Sequence, residues 1–146
     1  MLRRQFATLL TVLAALAAGS AMAQIGVHKF AVQKRVFAMS DMGDEAKLLG
    51  QMAKGKVSFD AAAAQQAVDE IAAEAARIPK LFKAFETEPG SDARTEIWSN
   101  YADFTARAAT LERTASAAVV RTPGELKTAL GQIGAACSGC HDVYRK

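Results

Sequence analysis

Cysteine is nearly absent from this chain: there are two in 146 residues, both close to the C-terminus. A framework of several disulfides is therefore excluded, and a zinc site, which needs about four protein ligands when structural and about three when catalytic, is the weaker reading, because the chain offers only the two cysteines and His141, with His28 distant in sequence. Proline is scarce as well, with three residues. Pro89 falls in a turn-rich stretch, Pro123 at a helix start, and only Pro79 interrupts a periodic segment. No stretch alternates apolar and polar residues as a half-buried strand would, and there is neither a repeat nor a low-complexity segment. The long apolar run, Phe6 to Ala18, is too short and too soon ended to anchor the chain in a membrane.

That run belongs to the N-terminal leader. A short basic start, Met1-Leu2-Arg3-Arg4, precedes it, and Ala21-Met22-Ala23 follows as a cleavage site of the A-x-A kind. The pattern predicts a secretory signal peptide over residues 1–23, cut near Ala23, with 24–146 as one mature domain of 123 residues. Arg3-Arg4 hints at twin-arginine export, but the flanking residues fit that motif poorly. Without the leader, 16 basic side chains face 15 acidic ones, so the mature charge is +1. Such a balance gives no reason to expect a nucleic-acid partner. Export predicts a periplasmic protein with no membrane anchor after cleavage.

An oxidising compartment tends to pair neighbouring thiols, so the two cysteines need a defined fate. They stand in Cys137-Ser138-Gly139-Cys140-His141, the C-x-x-C-H pattern for covalent attachment of a c-type haem. Two thiols can add to the two vinyl groups of one porphyrin, and the adjacent imidazole is in reach of the iron as proximal ligand. On a helix, residues 137, 140 and 141 are related by i,i+3 and i,i+4 and leave from one face. A thioredoxin-like disulfide would want a βαβ setting, which the chain does not offer.

Four helical patterns fill the mature chain. The first runs from about Lys29 to Met52, with Val32, Val36, Met39, Met42, Ala46 and Leu49 on one stripe, and Gly50 and Gly55 loosening its end. Asp60 is the expected N-cap of the second, whose stripe is Ala64, Val68, Ile71, Ala75, Ile78 and Phe82, with Pro79 expected to kink or shorten it. Residues 86–92 read as the longest loop. The third helix is expected from Ala93 or Arg94, with Ile97, Tyr101, Phe104, Ala108 and Leu111 inward. Thr122, Pro123 and Glu125 mark the start of the fourth as N-cap, first helical residue and capping-box partner. Its stripe, Leu126, Leu130, Ile133, Cys137, Cys140 and Tyr144, runs into the haem motif. The pattern predicts an all-α, antiparallel four-helix bundle with one covalently bound haem c.

A helical bundle with C-x-x-C-H at its C-terminal end resembles the class II c-type cytochromes, the cytochrome c prime family with its low-spin members. The likeness covers the mature chain. It includes Arg35-x-x-x-Met39, Lys54-Gly55 with Phe59-Asp60, Ile97-Trp98-Ser99, and the run from Cys137 to Arg145. The resemblance implies a periplasmic cytochrome, often a homodimer packed through its first two helices. It also implies that Met39 faces the distal side of the haem, either ligating the iron as in low-spin members or merely covering a five-coordinate one. Arg35, one turn earlier, matches an arginine read as partner of a haem propionate or distal ligand, the alternative being a solvated helix-face residue. Arg145 matches a residue near the proximal histidine.

The functional expectation is electron transfer through the Fe(III)/Fe(II) couple, with binding of small neutral gases such as NO or CO at the distal face. Arg35 beside Met39 tips the reading toward this gas-binding type over a low-spin carrier with Met39 as sixth ligand. His28 is a weak second candidate for an axial position, and Met42 and Met52 read as core filling. Lys80, Lys83, Arg94 and Arg107 read as solvated faces. No Ser-His-Asp set, paired carboxylates or distal acid-base group points to an enzyme. A helical interaction protein without haem leaves the cysteine motif unexplained, and the residues name no redox partner.

Overall fold

The computed structural model describes residues 30–146; the leader, its cleavage site and His28 lie outside the described residues. Five helices follow in order: α1 (Phe30–Ala53), α2 (Ala61–Leu81), α3 (Glu96–Ser99), α4 (Tyr101–Ser116) and α5 (Pro123–Tyr144). The four long ones form an all-α bundle in which α1 packs on α2, α2 on α4, α4 on α5, and α5 back on α1. Of these neighbouring pairs, α5 and α1 share the least contact. No helix among the described residues is long and apolar enough to cross a membrane.

Local chemistry sets most of the boundaries. Gly55, at φ +68°, ends α1 in the left-handed region that side chains avoid. Its N–H donates to Met52 O at 3.0 Å and that of Lys56 to Gln51 O at 2.9 Å, the paired bonds of a Schellman motif. Asp60 caps α2 by accepting from the N–H groups of Ala62 and Ala63 at 2.9 and 3.0 Å. Thr122 caps α5 by accepting from Glu125 N at 3.2 Å. The return bond of the capping box goes one residue further back, from Arg121 N to Glu125 Oε2 at 2.8 Å. Pro79 does not break α2. It sits in the last turn, where its missing N–H removes one bond, and its carbonyl accepts from the Tyr101 hydroxyl.

The predicted stripes of α2, α4 and α5 are inward, with Ala64, Val68, Ile71, Ala75, Ile78, Phe82, Phe104, Ala108, Leu111, Leu126, Ile133 and Tyr144 buried. Two expectations are corrected. Val36 faces outward, and Arg35 and Ala38 take the inward positions with Val32 and Met42. The third helix does not begin at Ala93 or Arg94. That segment pairs with the C-terminal tail instead: Ala93 bridges Arg145, Arg94 N donates to Tyr144 O at 3.0 Å, and Lys146 N to Asp92 O at 2.9 Å. Helix then starts at Glu96, breaks at Asn100 and resumes at Tyr101. Partners some 50 residues away in sequence thus decide where this helix begins.

One end of the bundle gathers Phe82, Phe85, Trp98, Phe104 and Tyr144. Phe104 lies 5.0 Å from Phe82 and 5.3 Å from Tyr144, centroid to centroid, and Trp98 carries the Phe85 ring edge-on at 4.9 Å. Start of α1, end of α2, start of α4 and end of α5 meet here, as an antiparallel arrangement requires. Cys137, Cys140 and His141 belong to this end.

Candidate haem-binding site

Cys137, Cys140 and His141 occupy the last two turns of α5, each half-buried. Both sulfurs pack against the core from its margin, as do Leu130 and Ala136 on the same helix and Met39 and Trp98 on others. The two thiols are not linked to each other. Burial pushes both above the usual thiol range; at Cys140 the Arg107 guanidinium pulls the other way. Burial, and then the Arg145 cation, lower the pKa of His141 against the opposing pull of Asp142. An imidazole held neutral keeps a nitrogen lone pair free for a metal. Arg145 has an exposed side chain, and its backbone N–H closes α5 on His141 O at 3.0 Å.

Met39 sits on α1, the helix beside α5, half-buried at the edge of the inward face. Arg35, one turn earlier, is not a solvated residue: it is only 3% exposed. Its Nε donates to Leu81 O at 2.9 Å, Nη1 to Glu86 O at 2.6 Å and Nη2 to Ala84 O at 2.6 Å. The guanidinium also lies 4.9 and 5.2 Å from the ring centroids of Phe82 and Trp98. Trp98 Nε1 donates to Phe82 O and Ala84 O at 2.9 and 3.0 Å, so both residues clasp the same turn after α2. The charged fork that the sequence assigns to a propionate or distal ligand is spread over three backbone carbonyls.

Arg107 also departs from the sequence reading. It is half-buried, and its Nη1 donates to the carbonyl of Gly139, inside the cysteine motif, at 2.6 Å. Its Nε donates to Asp103 Oδ2 at 2.7 Å, and the Tyr144 hydroxyl donates to that same oxygen at 2.7 Å. The i,i+4 spacing of Asp103 and Arg107 is visible in the sequence; the reach to Gly139 is not. Lys80, Lys83 and Arg94 are exposed, as expected.

A family model described as Cytochrome C' matches residues 30–145, which is nearly all of the described chain. The chain belongs to the cytochrome c' family. It is similar to a cytochrome c-556 of Agrobacterium tumefaciens (strain B2A), 38% identical over 117 residues, covering 78% of this chain and 95% of the relative. A cytochrome c' of Rhodopseudomonas palustris is 32% identical over 137 residues, covering 91% of this chain and 90% of the relative. Among solved structures, a cytochrome c' from Rhodopseudomonas palustris superposes with a TM-score of 0.75 at 30% identity, over 80% of this chain and 95% of the other.

Haem c, covalently attached, is the cofactor of this family and of this protein, a monohaem electron-transfer cytochrome. The donor set fits the group. Two thiols and a neutral imidazole leave one helix at three- and four-residue spacing, and the apolar side chains around them are half-covered, a margin that a porphyrin face would close.

Proposed function

We propose that the protein is a periplasmic electron carrier in which Cys137 and Cys140 anchor the haem, His141 is the proximal ligand and Met39 the ligand on the opposite face. The observation that carries this reading is the placement of donors. Three are on one half-buried turn of α5, and a half-buried thioether is on the neighbouring helix α1. Bound haem c supplies the Fe(III)/Fe(II) couple. The chain's own part is to hold the imidazole neutral, bring a thioether to the other side and keep water from the margin of the core. A thioether ligand raises the reduction potential and closes the site to all but strong competitors.

The sequence favoured an open, gas-binding iron because Arg35 accompanies Met39. With its fork engaged by the carbonyls of Leu81, Ala84 and Glu86, Arg35 no longer supports an open site. The gas-binding reading has its own support: a cytochrome c' mutant from Alcaligenes xylosoxidans was solved as a nitric oxide complex, and it superposes with a TM-score of 0.60 at 32% identity. In that reading Met39 covers a five-coordinate iron and admits NO or CO. Residues 1–23 are the export signal. The mature chain pairs with a second copy through α1 and α2, a reading supported by three large apolar side chains exposed on α1, Phe30, Val36 and Phe37.

The visible spectrum of the haem-loaded protein, ferric and ferrous, with and without carbon monoxide, tests the site. Low-spin bands unmoved by carbon monoxide are expected. A high-spin ferrous spectrum that changes on adding the gas replaces the carrier with the gas binder. Absence of haem stain from a reducing, denaturing gel overturns the cysteine assignment itself.

A further inference from the structure

The two turns that carry the haem motif are tied to α4 by a network that the electron-carrier reading does not use. Asp103 Oδ2 is its centre, accepting from Arg107 Nε and from the Tyr144 hydroxyl, each at 2.7 Å. Arg107 then reaches across to Gly139 O at 2.6 Å, the residue between Ser138 and Cys140. Tyr144 is buried, its ring 5.3 Å from Phe104 and 6.0 Å from the Arg107 guanidinium. Other short-range ion pairs, Arg77 with Glu74 and Arg121 with Glu125, join residues within one segment of chain. Asp103 and Arg107 are also one turn apart on a single helix, but Arg107 alone among these cations donates to the backbone of the cysteine motif, at Gly139 O, and Asp103 holds it there.

We propose that Arg107 and Asp103 are positioning residues for the haem, a charge-paired brace that fixes the Cys137–His141 turn and sets the reduction potential by the opposition of its two charges. The sign follows from charge alone. Ferric haem carries one more positive charge than ferrous haem, so a nearby cation favours the reduced form and a nearby anion the oxidised form. In the intact pair the two contributions largely cancel. The Arg107 guanidinium donates to Gly139 O, one residue before the Cys140 anchor, at 2.6 Å, which puts its charge beside the motif. Side-chain exposures of 37% for Arg107 and 52% for Asp103 leave both charges open to counterions. The effect is therefore modest and falls as salt rises.

The inference rests on haem anchored at Cys137 and Cys140, and the experiment keeps the two apart. Midpoint potentials are measured by spectroelectrochemical titration of the haem-loaded wild type, R107Q, D103N and R107K, at low salt and in 1 M salt (a Debye length of about 3 Å). R77Q serves as a control in an ion pair that makes no bond to the cysteine motif. R107Q leaves the Asp103 anion unopposed, and its potential should fall by about threefold in the Fe(III)/Fe(II) equilibrium constant, or about 30 mV for one electron. D103N leaves the cation unopposed while keeping an acceptor for Tyr144, and its potential should rise by about as much. R107K restores the charge without the fork that serves Asp103 and Gly139 together, so its potential should return toward wild type while its thermal midpoint, like that of R107Q, falls below wild type. R77Q should not move, and high salt should shrink both shifts. Equal potentials in all variants, or shifts of R107Q and D103N in one direction, overturn the proposal and leave a purely structural tie. Should R107Q fail to accumulate, the rise in D103N alone decides. A wild type without covalent haem refutes the anchoring, not the brace.

Discussion

Replacing Arg35 with alanine should destabilise the protein far more than a surface substitution. The side chain gives three hydrogen bonds, at 2.9, 2.6 and 2.6 Å, to the carbonyls of Leu81, Ala84 and Glu86, and it faces the rings of Phe82 and Trp98. A hydrogen bond to a charged group contributes about 1.5–3 kcal/mol, so three would give about 5–9 kcal/mol if they simply added. They do not. Water can reach the half-exposed turn once the side chain is gone, Ala84 O keeps its bond from Trp98, and the cost of burying the cation is removed with it. The net loss is about 2–4 kcal/mol, several times the usual ±0.5 kcal/mol of a surface change. Urea denaturation of the haem-loaded protein measures it. Trp98, the single tryptophan, reports directly because haem quenches its emission only while the bundle is folded. Arg35→Lys keeps the charge but cannot reach three diverging carbonyls, so it should recover less than half of the loss. A loss under about 0.5 kcal/mol in Arg35→Ala, or full recovery by lysine, would refute the clasp and return Arg35 to the solvated face or to the haem.

Three further outcomes are expected. Thr122→Ala removes the acceptor for Glu125 N and should cost about 1 kcal/mol in the same denaturation assay, with Thr122→Ser close to wild type. His141→Ala should keep haem on a denaturing gel while losing the native visible spectrum; an unchanged spectrum would remove His141 from the iron. The bonds from Arg107 and Tyr144 hold Asp103 below its ordinary value of 3.8. A depressed carboxylate adds stability above its unfolded value and loses it as pH falls through the folded one. Thermal midpoints followed downward from pH 5 should therefore drop less steeply in D103N than in wild type, and parallel curves would contradict the shift.

What could be read from the chain without its structure was whatever depends on neighbours in sequence. Asp60, Thr122 and Gly55 mark helix ends because each completes bonds within four residues of itself, and the stripes of α2 and α5 follow from periodicity alone. The cysteine motif was legible for the same reason: its three donors are bound into one turn. The start of the third helix was not, because residues 92–94 take their hydrogen bonds from the C-terminal tail. Val36 was placed inward because it is apolar and at a permitted spacing, yet the inward position went to its charged neighbour.

Two arginines make contacts that the sequence did not show: Arg35, read as partner of a propionate or distal ligand with a solvated face as the alternative, and Arg107, read as a solvated face. Charge assigns such a side chain to solvent; a long stem with five donors lets it cross to backbone carbonyls on another element. Those carbonyls are where a helix has ended or is ending, the turn after α2 for Arg35 and the last turns of α5 for Arg107. The signal that would have found Arg35 is its register. Positions 32, 35, 38 and 42 are steps of three, three and four, so Arg35 lies on the buried stripe whatever its charge. Arg107 stands three residues after Phe104 and four before Leu111, at the border of the α4 stripe, with Asp103 one turn before it. In a bundle whose helix ends surround a cofactor, an arginine in register with the core is better read as a tie to backbone carbonyls near a neighbouring helix end than as a solvated charge.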